Sequence, residues 1–182
     1  EPQGTKNDNQ NWIVAADRYG SSLQVEASKY GFEDLLLIGK NGHVVYSNAG
    51  EADLGLDLTA EKLRNSALGK VFQEGLRDFV LRDFQPYSIA GGQQYMLLGM
   101  PIVRDSETLG VLVAKLSPDS LNDIAHQRQG LGKTGEIYLA GKFDERVSFR
   151  SDLMTMGDGK YVTGYDITEA APPYLTQALS GQ

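Results

Sequence analysis

The feature that most constrains this chain is a succession of strand-forming runs whose joints are too short for any crossover. Phe79 to Ile89, Gln93 to Val103 and Leu109 to Leu116 are rich in β-branched, aromatic and aliphatic residues. Their joints, Ala90-Gly91-Gly92 and Asp105-Ser106-Glu107, have the composition of turns. A parallel connection needs about a dozen residues or more, so these strands must run antiparallel. Upstream, DLLLIGKNGHVVYS places two further β-rich runs around Lys40-Asn41-Gly42, where Asn and Gly accept the positive φ of a tight hairpin turn.

Helical periodicity surrounds these strands. Trp12, Ala16, Tyr19, Leu23, Ala27 and Tyr30 step by three or four and predict a helix from Trp12 to Tyr30, with Gly20 as a point of kinking or fraying and Gly31 as the stop. Asn48 to Leu58 reads as a polar loop, with Asp57 or Thr59 available to cap the next helix. Leu63, Ala67, Leu68, Val71, Phe72 and Leu76 give that second stripe, which Gly69 and Gly75 divide into shorter pieces. Ser117-Pro118-Asp119 opens a third helix, continued by Leu121, Ile124, Ala125 and Arg128. Hairpin-connected strands with helices between them predict an α+β layer architecture. From Gln129 the character changes: GLGKTGE is a glycine cluster, EIYLAG a short strand, RVSFRSD its hairpin partner, and Tyr174 to Leu179 a final amphipathic piece. Residues 129–182 are marginal in number for an independent core. No tandem repeat at a solenoid period is visible.

Composition excludes several function classes. The 182 residues carry 24 acidic against 17 basic side chains, a net charge of −7, which argues against a nucleic-acid binder and against an anionic membrane surface as partner. There is no cysteine, which removes disulfides, thiolate nucleophiles, Cys-based zinc and iron–sulfur centres. No apolar run approaches the ~18 to 20 residues of a membrane span. No basic, apolar leader stands at Glu1, and the opening EPQGTKNDNQ reads as the cut end of a longer chain.

Little catalytic chemistry survives inspection. The two histidines, His43 and His126, lie far apart in sequence and read as surface residues. GLGKTGE lacks phosphate-loop spacing, because Gln127 stands where the first glycine is required and a strand comes next. Asp119 and Asp123 read as solvated helix charges, and neither a Gly-x-Ser-x-Gly motif nor a distinct carboxylate pair is present. The informative cluster is Arg82-Asp83-Phe84-Gln85-Pro86-Tyr87 followed by Gln93-Gln94-Tyr95-Met96. Strict alternation puts Asp83, Gln85 and Tyr87 on one face, and Tyr95 with Leu97 on one face of the next strand. An acid among aromatic rings is the composition of a small polar pocket.

The order GFEDLLLIGKNGHVVYS, EADLGLDL, RDFQPYSIAGGQQYMLLGMPIV, LGVLVAKLSPDSLNDI, GKTGEIYLAG and FRSDL, from Gly31 to Asp152, resembles the Cache sensor domains of bacterial methyl-accepting chemotaxis receptors. These are also called PDC or extracytoplasmic PAS-like domains, and related sensor kinases and diguanylate cyclases carry them. The resemblance implies a long N-terminal helix leading into a PAS-like five-stranded antiparallel sheet flanked by helices, with a small β-containing C-terminal extension. It makes 1–30 the signalling and dimer-forming helix, 31–128 the sensor core, and 129–182 an extension or part of a second, membrane-proximal module. It implies a ligand pocket between the sheet and the segment inserted between its second and third strands. Carried onto this chain, that pocket takes Tyr46, Asp83, Tyr87 and Tyr95, with Lys115 added. The Tyr, Arg, Trp-Tyr and Asp pattern of the family's amino-acid-binding subset is not found here.

The expectation is therefore a periplasmic or extracellular binding module of a membrane-anchored receptor, without catalytic activity, cofactor or metal. Its expected partners are a small-molecule ligand, a periplasmic binding protein, and a second copy through the N-terminal helix. A histidine-kinase or diguanylate-cyclase sensor and a pure protein-interaction module are the rival readings.

Overall fold

The computed structural model describes residues 10–50, 52–155 and 161–181. Residues 1–9 and the side chains of Trp12 and Ala16 lie outside that set. The first helix, α1, runs unbroken from Gln10 to Tyr30 through Gly20. At Gly20 an added Cβ would stand 3.3 Å from the Tyr46 hydroxyl, so this glycine serves a close approach of the sheet and is not a break.

The strands are β1 (Asp34–Gly39), β2 (Val44–Ser47), β3 (Val80–Tyr87), β4 (Gln93–Arg104) and β5 (Glu107–Leu116). They form one five-stranded sheet in the order β2-β1-β5-β4-β3, antiparallel at every pair. The α+β architecture predicted from the short joints is the one observed. Helix α2 (Ala67–Gly75) packs on one face of the sheet, and α3 (Asp119–Ala125) follows β5. The helical stripe expected from Leu63 onward is realised only from Ala67, where Ser66 accepts the Gly69 amide at 3.1 Å as N-cap. Residues 59–66 form turns whose Leu63 still packs on the core.

The two faces of the sheet carry different cores. Leu36, Ile38, Val111, Val113 and Leu97 meet Leu68, Val71 and Phe72 of α2 and Leu58 of the 48–66 insertion. Leu35 and Ala114 on the opposite face meet Ala27 of α1. The insertion is fastened where it leaves β2: buried Asp34 accepts the Ser47 hydroxyl at 2.8 Å and the Ala49 amide at 2.9 Å.

A third apolar cluster, of Val147, Phe149 and Ile167, lies in the C-terminal part. There β6 (Ala140–Phe143) and β7 (Arg146–Phe149) form a hairpin, and α4 spans Pro173–Leu179. Strand β6 is shorter than EIYLAG suggests, since 136–139 are irregular. The glycine cluster GLGKTGE is closed by Arg128, whose guanidinium donates to the Gly135 and Lys133 carbonyls at 2.9 and 2.8 Å.

Candidate ligand site at the polar end of the sheet

Lys115 interrupts the apolar run of β5, and alternation keeps it on the face of Val111 and Val113. That placement carries a cation to the end of a hydrophobic core. The side chains of Lys115 and Asp53 are 0% and 1% exposed, and Lys115 Nζ lies 3.5 Å from Asp53 Oδ2. The Tyr87 hydroxyl donates to Asp53 Oδ1 at 2.8 Å. Lys115 Nζ stands 4.8 Å from the Tyr95 ring centroid and 5.5 Å from that of Tyr87, within range for cation–π attraction. The two rings meet edge to face at 5.6 Å, an arrangement aromatic quadrupoles favour.

Sealing both charges from water carries a desolvation penalty that the pair's attraction only partly offsets. Such a pair is therefore a poor stabilising device, although it holds opposite charges at fixed positions in a dry, aromatic surround. Tyr95 also faces outward, its hydroxyl donating to Glu33 Oε1 at 2.7 Å, with Gln93 Oε1 3.2 Å away. On that side lies a cavity of about 590 Å³ whose walls include Glu33, Gln93, Tyr95, Asp119, Asn122 and Thr163. Its volume is within the range of small-molecule pockets.

Of the residues singled out in the sequence, the structure brings Tyr87, Tyr95 and Lys115 together. Tyr46 lies elsewhere, on the α1 side of the sheet, where its hydroxyl has the Gly20 carbonyl and Asn48 Oδ1 as alternative acceptors, each at 3.4 Å. Burial, and then the Asp34 carboxylate, push the Tyr46 phenol above its ordinary value. Asp83 does not share a face with Tyr87, contrary to strict alternation. Arg82 pairs with Leu97 while Gln85 pairs with Tyr95, so a bulge adds a residue to β3 between them. Asp83 turns to the C-terminal part, where its Oδ2 accepts Arg150 Nε at 2.8 Å.

Sequence reasoning misses Asp53 and Glu33. Asp53 sits in a loop that returns to the sheet only through the tertiary fold, so no local spacing marks it. Its one sequence signal is that it is one of three acids, with Glu51 and Asp57, spaced among the apolar residues of EADLGLDL. Asp119, which reads in the sequence as a solvated helix charge, lines the cavity. Among the described residues, no group of three or more His, Asp or Glu is placed to hold a metal ion. Within the same set, no helix is long and apolar enough to cross a membrane.

No protein-family model matches the chain, and no curated protein matches it. Solved structures do. The ligand-binding domain of Pseudomonas fluorescens chemoreceptor CtaA in complex with L-serine superposes with a TM-score of 0.55 at 18% identity, over 86% of this chain and 61% of that one. The same domain in complex with L-alanine gives 0.51 at 15% identity, over 91% and 71%. The ligand-binding domain of Campylobacter jejuni chemoreceptor Tlp3 in complex with 4-methylisoleucine gives 0.46 at 16% identity, over 66% and 48%. The chain thus spans 48% of that Tlp3 domain and 61% of that CtaA domain. This chain thus shares the fold of the CtaA chemoreceptor ligand-binding domain.

Proposed function

We propose that this chain is the extracytoplasmic ligand-sensing part of a bacterial transmembrane receptor, a methyl-accepting chemotaxis receptor in the first instance, and that its ligand is a small molecule bearing a carboxylate. The observation that carries the reading is the buried Lys115–Asp53 pair walled by Tyr87 and Tyr95. An incoming carboxylate can replace Asp53 on Lys115, and a ligand that also bears an ammonium group can satisfy Asp53 in return. A zwitterion is thus the chemistry that uses both halves of the site. The amino acids bound by the CtaA domain are of that kind, and here recognition would run through Lys115 and Asp53 in place of the family's amino-acid pattern.

In this reading the chain binds and signals, and performs no catalysis. A ligand shifts such a receptor only by its differential affinity for two arrangements. The division into a helix at 1–30, a sensor core at 31–128 and an extension at 129–182 belongs to the proposal, as does a periplasmic location. Pairing of two copies along α1 is supported by its exposed Val14, Tyr19, Val25 and Tyr30. One observation favours a second reading, docking of a periplasmic binding protein: Lys115 and Asp53 are closed to solvent.

The test is a thermal-shift screen against amino acids, mono- and dicarboxylates, amines, sugars and purines, repeated with Lys115→Gln. A ligand at a hundred times its Kd stabilises the fold by about 2.7 kcal/mol, a rise of several degrees. A carboxylate hit lost in the variant is the expected result. A hit that survives moves the site elsewhere, and silence across the library from a folded protein turns the reading to protein docking.

A further inference from the structure

Strand β3 changes face in mid-course, and the site depends on that change. Val80 packs with the core on the α2 side, and Arg82 makes an ion pair with Glu74 of α2. In an unbroken strand Phe84 and Pro86 would continue that face, and Tyr87 would point away from Asp53. The observed register adds a residue to β3 between Arg82 and Gln85, so Gln85 and Tyr87 take over the face instead. The bulge is thus what delivers the Tyr87 hydroxyl to Asp53.

The bulge is gripped from the C-terminal part of the chain. Arg150 Nε donates to Asp83 Oδ2 at 2.8 Å, while Asp83 Oδ1 accepts the Phe84 amide at 2.7 Å. The Arg150 side chain is 5% exposed, and its Nη1 is anchored on the Ser148 hydroxyl at 2.6 Å. Gly141 makes room for the ion pair: a Cβ there would fall 2.8 Å from both Arg150 Nε and Asp83 Oδ2. A second contact runs beside it. Gln94, next to Tyr95 on β4, packs so closely on Gly164 that a Cβ at 164 would lie 2.8 Å from its Nε2.

We infer that Arg150 is a positioning residue for the Lys115–Asp53 site: by clamping Asp83 it holds the bulge that turns Tyr87 onto Asp53, so the seating of the 129–182 segment is felt at the site. This role rests on the reading of that cluster as a ligand site. Its test uses no ligand, so its failure and the failure of the ligand screen are separate results.

The experiment is amide hydrogen exchange on the whole chain, with Arg150→Gln against the unaltered protein. The reporters are Gly55 and Leu56, whose amides bond to the Val44 and Asp53 carbonyls. Exchange there is expected to rise about tenfold more than across the β1–β5 ladder, because the loosening is local. Arg150→Lys, which keeps the charge, is expected to restore most of the protection. A purely structural role raises exchange equally everywhere, and that result, or no change at Gly55 and Leu56, overturns the inference. If Arg150→Gln does not fold, Asp83→Asn answers the same question, with the same selective rise expected and a uniform one overturning it. A double-mutant cycle with Tyr87→Phe adds an independent measure. Residues that share no partner are ordinarily additive, so a departure of about threefold or more in the unfolding constant supports coupling, and additivity within about twofold overturns it.

Discussion

Two parts of the chain fold by the same local device and use it for different ends. In the first, Gly55-Leu56-Asp57-Leu58-Thr59 runs back along β2: the Val44 amide donates to Leu56 O, Gly55 to Val44 O, and Leu58 to Gly42 O, each at 2.9 Å. In the second, Gly164-Tyr165-Asp166-Ile167-Thr168 runs back along β7: Phe149 donates to Tyr165 O at 3.2 Å, with Gly164 to Phe149 O and Ile167 to Val147 O at 2.8 Å. Both glycines have positive φ, +84° and +88°. Each aspartate accepts the amide and hydroxyl of the threonine two residues on, at 2.9 and 2.6 Å in both cases. The residue whose carbonyl closes the turn, however, is Asp53 in the first and Val162 in the second. The first copy places a carboxylate under the sheet beside Lys115. The second is closed over aromatic rings, with Tyr138 and Tyr161 against Phe149 at 5.5 and 6.5 Å. The backbone device is indifferent to the chemistry it carries, and a single acid separates a buried ion pair from a plain apolar core.

Giving the first copy the second's residue should have the largest effect. Asp53→Val leaves Lys115 buried without its acid and is expected to lose about 3–5 kcal/mol of stability in urea denaturation, while Asp53→Val with Lys115→Met recovers most of it. Next in size are the two glycines: Gly55→Ala and Gly164→Ala each force a left-handed residue, at about 1–2 kcal/mol. The Gly164 variant is expected to lose more, since its Cβ also meets Gln94 at 2.8 Å. Equal losses would mean that the contact with β4 is slack.

The smallest effect is in the two aspartates. The Thr59 hydroxyl and then its amide hold the Asp57 carboxyl below its ordinary value, and the Thr168 hydroxyl and amide do the same for Asp166. A carboxyl depressed by folding contributes stability that is full above its unfolded pKa, ~3.9, and is lost as the pH falls through the folded one. Carboxyl titration by NMR should find both low, and Thr59→Val and Thr168→Val should each raise its own aspartate while leaving the other alone.

The sheet and half of the candidate site are legible in the sequence. Short turn-forming joints dictate antiparallel pairing, and Lys115 stands out because it breaks the alternation-ready run VLVAKL. Tyr87 and Tyr95 follow from aromatic spacing on neighbouring strands. Alternation misplaces Asp83 because it cannot anticipate a bulge, and one extra residue reverses every later side chain. Asp53 and Arg150 carry no such signal, because their partners are distant in sequence and reached only through tertiary folding. The Gly-x-Asp-x-Thr likeness has no tandem period, since it occurs in two widely separated copies.

The staple at Asp34 also governs how this molecule can vary. Its two oxygens fix Ser47, the last residue of β2, and the Ala49 amide of the insertion, and Ser66 fixes the other end at α2. The segment between is moored a third time by its own residues, where Leu56 and Leu58 pair with Val44 and Gly42. Gly55, Leu56 and Leu58 tie the segment to β2 and to the core, so change in this roof over Lys115 is confined to the positions between its moorings, and a sequence that keeps those moorings keeps the fold.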